Sequence, residues 1–326
     1  MKEYGGYIAL EAYGSEFYGG SKDGCECLRL NAARYAIAEA CRDGNFRKIW
    51  VPFYICDTVY RVLEEESIEY ASYHIDINFM PELDCIEKDE CILVINYFGI
   101  LGEKFYQNIL ETYQNVIFDN TQSFYAKPIW KDYVYNVYSA RKFFGVSDGA
   151  YLITKRFYKK HMLQKDFSAE RACFLLKAKE LGTNDAYAEY LLSEEDLSKS
   201  RIRAMSVLTQ TMLCNIDYEK VAERRRRNFL YLSEKLENKN ELKIDDKYSC
   251  PMVYPFLTEA NGKSFRQYLV ESRIYVPQWW KWVLSMKGIN EWEYKLSQFL
   301  YSLPIDQRYS KEDMKDIVDI IRRYRG

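Results

Sequence analysis

The stretch Val116-Ile117-Phe118-Asp119-Asn120-Thr121-Gln122-Ser123 decides how the rest of the chain is read. A short apolar run ends in a carboxylate and then in polar turn residues. That is the pattern of a buried strand with Asp119 at its C-terminal edge. Open α/β sheets place ligand groups at that edge, although Asp also serves commonly as a turn cap. Further on, Tyr138-Ser139-Ala140-Arg141-Lys142-Phe143-Phe144-Gly145-Val146-Ser147-Asp148-Gly149-Ala150 sets a lysine just past a second strand, in a Gly-containing loop leading to a third. A lysine amine attacks a carbonyl only when deprotonated, and apolar neighbours such as Phe143, Phe144 and Val146 lower its pKa. Taken alone, a lysine among aromatics reads more readily as a snorkelling surface residue.

Working outward, apolar runs at 48–53, 70–75, 91–98, 134–139 and 150–154 read as strands, with helical patterns at 32–42, 57–66 and 103–113 between them. This alternation predicts an α/β fold: a three-layer α/β/α large domain with a mainly parallel sheet. Residues 156–240 read as helical, with few Gly and no Pro. Beyond them a strand at 250–257, a helix at 262–272, a strand at 274–277 and a closing helix at 310–323 suggest a smaller C-terminal α/β domain. Ser310 and Asp313 form a capping-box pattern before that last helix. The division expected is a large domain over 1–215 and a small one over 216–326.

The chain has 326 residues, of which 48% are apolar and 29% charged, with a net charge of -2. That is enough for a sizeable core, and it lacks the basic excess of a nucleic-acid binder. The 30 Tyr suit clefts and subunit interfaces and hint at an oligomer. Nine irregularly spaced Cys without a CxxC pair, and only two His, disfavour a zinc site, any other metal centre of that kind and a disulfide framework. Met1-Lys2-Glu3-Tyr4-Gly5-Gly6 is not a signal-peptide start, and no apolar run reaches membrane-spanning length. A reduced cytoplasmic protein is the expectation.

Three further patterns bear on a site. Leu30-Asn31-Ala32-Ala33-Arg34-Tyr35-Ala36 opens an Ala-rich helix, whose N–H groups and dipole suit a phosphate. Asn31 reads equally as a plain N-cap, and Ser139 offers a hydroxyl from the opposite side. Arg224-Arg225-Arg226-Arg227 spreads around a helix, so most of these side chains are expected in solvent. Trp279-Trp280-Lys281-Trp282 reads either as a substrate wall between domains or as packing, the safer default for Trp.

Together these pieces resemble the DegT/DnrJ/EryC1/StrS family of pyridoxal-phosphate (PLP) aminotransferases, which have the aspartate-aminotransferase fold. The likeness runs along most of the chain. Gly5-Gly6-Tyr7-Ile8-Ala9-Leu10-Glu11 looks like the family's N-terminal lead-in, and Val51-Pro52-Phe53-Tyr54 like its Val-Pro loop. Asn96-Tyr97-Phe98-Gly99, Asp119-Asn120-Thr121-Gln122 and Ser302-Leu303-Pro304-Ile305 resemble three further family segments. Asp119, Gln122 and Lys142, in that order, are the most specific part. The turn Gly145-Val146-Ser147-Asp148-Gly149 and the short spacing Ser139-Ala140-Arg141-Lys142 depart from the family pattern.

The resemblance implies that Lys142 carries PLP as a Schiff base and shuttles a proton, while Asp119 keeps the pyridine nitrogen protonated. It places Gln122 near the ring's 3′ oxygen. Ser139, Asn31, Ala32, Ala33 and Arg34 would surround the phosphate. Tyr54 would stack on the ring, with Phe53 and Cys56 as alternatives. Arg141 reads evenly as an anion ligand or a solvent-facing side chain. The implied activity is amino transfer from an amino acid, glutamate by default, to a keto nucleotide sugar, in a homodimer, with neither nucleic acid nor membrane as partner. The rivals are another PLP-dependent reaction on the same scaffold and a PLP-fold binding or sensing protein without turnover. A nicotinamide enzyme is disfavoured because no GxGxxG follows a strand.

Overall fold

The computed structural model describes residues 8–19, 25–244, 250–259, 262 and 264–325. The chain order begins β1 (Glu26–Leu30), α1 (Ala33–Gly44), β2 (Lys48–Pro52), α2 (Asp57–Glu65), β3 (Glu69–Tyr73), β4 (Glu90–Ile95) and α3 (Glu103–Thr112). It continues with β5 (Val116–Asp119), β6 (Val134–Ser139) and β7 (Ala150–Thr154), then the helices α4 (Cys173–Leu181), α5 (Tyr187–Lys199), α6 (Val207–Leu213) and α7 (Tyr218–Leu236). The last part holds β8 (Tyr254–Leu257), α8 (Ser264–Glu271), α9 (Glu291–Phe299), β9 (Leu300–Leu303) and α10 (Lys311–Arg323).

Seven strands form one sheet in the order β1-β7-β6-β5-β4-β2-β3. Strands β2 to β6 pair in parallel, and β7 lies antiparallel between β6 and β1. Every residue of β4, β5, β6 and β7 is buried. Helices cover both faces of such a sheet, which is why these strands read as unbroken apolar runs instead of alternating ones. The structure is therefore the mainly parallel α/β arrangement expected, with a smaller C-terminal unit built on the antiparallel pair β8-β9.

The C-terminal unit differs in detail from its sequence reading. The strand expected at 250–257 begins only at Tyr254, and among the described residues 274–277 forms no strand: Ile274 N–H is bonded to Leu269 O (2.8 Å) and Val276 O to Arg266 (3.0 Å). The helix expected at 262–272 is α8. The capping box at α10 is formed: Ser310 Oγ accepts from Asp313 N–H (3.2 Å) and Asp313 Oδ2 from Ser310 N–H (2.6 Å). Of the N-terminal lead-in, residues 5–7 lie outside the described residues, and 8–11 are exposed without regular structure.

Candidate active site

Because β1, β2, β4, β5 and β6 run in one direction, their C-terminal ends gather along one edge of the sheet. The register sets the neighbours. Asp119 lies between Ile95 and Val137, and Ala150 lies between Ser139 and Leu30. The loops 31–34, 53–56, 96–99, 119–122 and 139–142 therefore share this edge.

Lys142 points from its loop back toward β5, and its Nζ donates to Thr121 Oγ1 at 2.8 Å. Water reaches the side chain although protein mass surrounds it, as on the floor of an open cleft. Burial pushes the amine below the ordinary lysine range. The Asp119 carboxylate and Cys56 oppose that shift, and the neighbouring Arg141 adds to it. Proximity of Asp119 to the amine is thus part of the electrostatics as well as the register.

Asp119 is buried, and its Oδ1 accepts from Thr121 N–H (2.9 Å), which fixes the carboxylate at the strand end. Gln122 is buried beside it. Its Oε1 accepts from Phe98 N–H at 2.6 Å, while its Nε2 has no partner among the described residues. Asn120 is buried too, its Oδ1 accepting from Tyr106 OH (2.6 Å) and its side chain also bonded to Tyr138. Phe98 holds a left-handed backbone (φ 59°), uncommon for a bulky residue and a form of strain found at functional sites. Gly99 is required next to it: its φ is +78°, and a Cβ there would sit 2.5 Å from Gln122 O.

On the other side of β6, Ala32 is the N-cap of α1 and supplies no side-chain cap, so the first-turn N–H groups of Ala33 and Arg34 face the sheet edge without one. Ser139 is buried at the end of β6. Asn31 has a different task. Its Nδ2 donates to Arg201 O (3.0 Å), Ser200 Oγ (3.3 Å) and Asp166 Oδ2 (3.4 Å), and its Oδ1 accepts from Arg203 N–H (3.2 Å), pinning the 200–203 segment to β1. Arg34 donates to Leu197 O at the end of α5, and its Nε is buried without a partner. Arg141 pairs with Glu194 of α5, and its Nε too is unpaired. Burial, with Arg34 and Arg171 close by, pushes the Arg141 guanidinium down to about 10. Arg34 and Arg141 thus lie close to one another near an uncapped helix start, where an anion is favoured.

The aromatics of the 53–56 loop are engaged elsewhere. Tyr54 is fully buried, with its ring 5.5 Å from Tyr97 and 4.5 Å from Trp280. Phe53 stacks on His74 at 4.3 Å. Cys56 is the loop residue that lies near Lys142.

Three further residues belong to this region, of which Trp279 lies in the stretch read from sequence either as a substrate wall or as packing. Thr121 accepts the hydrogen bond from the lysine amine. Trp279, from the C-terminal unit, has its ring centroid 6.0 Å from Lys142 Nζ. Arg225 is buried and donates to Phe143 O (3.4 Å), Met252 O (3.0 Å) and Gln307 Oε1 (2.9 Å), so it ties the lysine loop to the C-terminal unit. A signal for it was present, since Arg225 shares the helical face of Phe229, Leu232 and Leu236, all buried.

No protein-family model matches the chain, and no curated protein matches it in sequence. Solved structures do match it in fold. The sugar aminotransferase CalS13 of Micromonospora echinospora superposes with a TM-score of 0.63 at 13% identity, covering 91% of this chain and 86% of that one. A DegT DnrJ EryC1 StrS aminotransferase of Brucella abortus gives 0.64 at 14% identity, covering 92% and 86%. The PLP form of a sugar aminotransferase of Streptococcus pneumoniae gives 0.64 at 12%, covering 92% and 88%. The chain therefore has the fold of these enzymes over nearly its whole length.

Proposed function

We propose that the protein is a PLP-dependent aminotransferase of the DegT/DnrJ/EryC1/StrS kind, with residues 1–215 as cofactor-binding domain and 216–326 as the small domain. The observation that carries this reading is the meeting of Lys142, its amine held below the ordinary lysine range and bonded to Thr121, with Asp119 and an unpaired Gln122 donor on one sheet edge. The residues fit the cofactor. Lys142 would hold it covalently, and Asp119 would pair with the pyridine nitrogen. Gln122 Nε2 would donate to the ring oxygen. The N–H groups after Ala32, with Ser139, Arg34 and Arg141, would hold the phosphate. PLP, when bound, supplies an electron sink for the substrate carbon. The chain's part is to lower the pKa of Lys142 and to place its amine to carry a proton between neighbouring atoms, with Thr121 accepting a hydrogen bond from it.

The structures of like fold include sugar aminotransferases and one solved with a TDP-sugar product. They support a keto nucleotide sugar as acceptor; glutamate is the donor we propose with it. Exposed large apolar side chains at Met162, Phe167, Leu176, Leu181 and Leu192 support a homodimer.

The test is the absorbance of the purified protein with PLP, before and after glutamate. A visible band that converts on glutamate supports the full reading. A band indifferent to glutamate points to another donor or another PLP reaction. No band overturns the proposal.

A further inference from the structure

We propose that Trp279 is the aromatic surface of the Lys142 cleft, so that the ring held by the lysine packs against a side chain of the C-terminal unit. The inference rests on the cofactor reading above. Three observations carry it.

First, the loop after β2 has no ring to offer. Tyr54 lies between Tyr97 and Trp280, Phe53 lies against His74, and the residue that comes near the lysine is Cys56. Second, Trp279 is in place. Its ring is 6.0 Å from Lys142 Nζ, it is half-buried, and it packs against both apolar clusters of the molecule, so it stands at their junction. Third, the indole is held. Its Nε1–H donates to Ser302 Oγ on β9, and the Trp280 ring lies 6.0 Å away at 64°. Trp280 itself adopts φ 48°, a conformation uncommon for a bulky residue, and packs on Tyr54 and Tyr97. Local strain of this kind persists only where the surroundings over-determine it. Here it fixes the turn that carries Trp279.

An aromatic face beside the lysine attracts a cation and a flat ring alike. Because that face belongs to the C-terminal unit, occupancy of the cleft and the position of that unit become coupled.

Two measurements test this. The protein is produced with 5-fluorotryptophan at its six Trp positions, and the ¹⁹F resonance of Trp279 is assigned through Trp279→Phe. Addition of PLP is expected to shift that resonance strongly through the ring current and to leave exposed Trp130 unmoved. In parallel, PLP binding is followed by absorbance in wild type, Trp279→Leu and Trp279→Phe. The Leu variant is expected to bind roughly three- to tenfold more weakly, with Phe restoring most of the affinity. A visible band in wild type together with an unmoved Trp279 resonance overturns the proposal, whether or not the Leu variant folds. Equal affinity in all three proteins overturns it as well. If wild type forms no band, the cofactor reading fails first and takes this inference with it.

Discussion

Helix α1 begins at one polar cluster and ends at another, and the two are built differently. Toward its C-terminus, Glu39 and Asp43 grip His161: Nδ1 lies 2.7 Å from Glu39 Oε2 and Nε2 lies 3.1 Å from Asp43 Oδ1. Arg42 completes Glu39 (2.8 Å), while Tyr135 OH (2.8 Å) and the N–H groups of Tyr158 (2.9 Å) and Lys159 (2.8 Å) complete Asp43. At the helix N-terminus the opposite holds. On the sheet edge that it shares, Gln122 Nε2 and the Nε atoms of Arg34 and Arg141 are buried without partners among the described residues. Folded chains pair nearly all such groups. A chain that satisfies the His161 cluster so fully has the means to do the same at the Lys142 cleft. The unpaired donors there are available to a ligand with acceptor atoms.

The sharpest way to break the comparison is to damage the satisfied cluster. His161→Gln would leave two buried carboxylates facing one another, and we expect a loss of about 3 kcal/mol in denaturant unfolding at neutral pH. PLP affinity should stay at the wild-type value, since the cleft loses nothing. A large affinity loss would show that the two clusters are not separate. The pH dependence follows from the same contacts. Hydrogen bonds to Asp43 and Glu39 raise the His161 pKa to about 9, above an unfolded value of about 6.5. The folded state thus binds the extra proton. The stabilisation is complete below about pH 6.5 and is lost as pH rises through about 9. His161→Gln should flatten the wild-type decline over that window, and an undiminished decline would assign it to other groups.

A smaller effect is expected at the unsatisfied cluster. Gln122→Glu keeps the acceptor for Phe98 N–H and deletes the free donor. Thermal unfolding should move little, whereas PLP affinity should fall roughly tenfold, the worth of one hydrogen bond to a charged acceptor. An unchanged affinity would remove Gln122 from the site.

How much of this was legible depends on how local each feature is. The bounds of β5, β6 and β7 follow from the sequence, because unbroken apolar runs between turn residues leave little choice. Strand β1 (Glu26-Cys27-Leu28-Arg29-Leu30) was hidden, since its short mixed run is completed only by pairing with β7. Strand β9 follows α9 without a turn residue, and the Asn290–Glu293 capping box of α9 lies in the sequence as plainly as the one at Ser310. That Asp119, Gln122 and Lys142 lie at strand ends on one sheet edge was legible because strand-end motifs are local. Trp279 and Arg225 reach the lysine loop through tertiary contacts alone, and Tyr54 was the sequence's candidate for a ring that the fold directs into a buried aromatic group.

The central claim is that Lys142 is the residue that binds the cofactor. It is tested most directly by adding PLP, reducing with sodium borohydride and mapping the modified peptide by mass spectrometry, with Lys142→Ala alongside. The account requires the pyridoxyl mass on Lys142 at near-stoichiometric yield and its loss in the variant. A label spread over surface lysines, or one that survives Lys142→Ala, would contradict it.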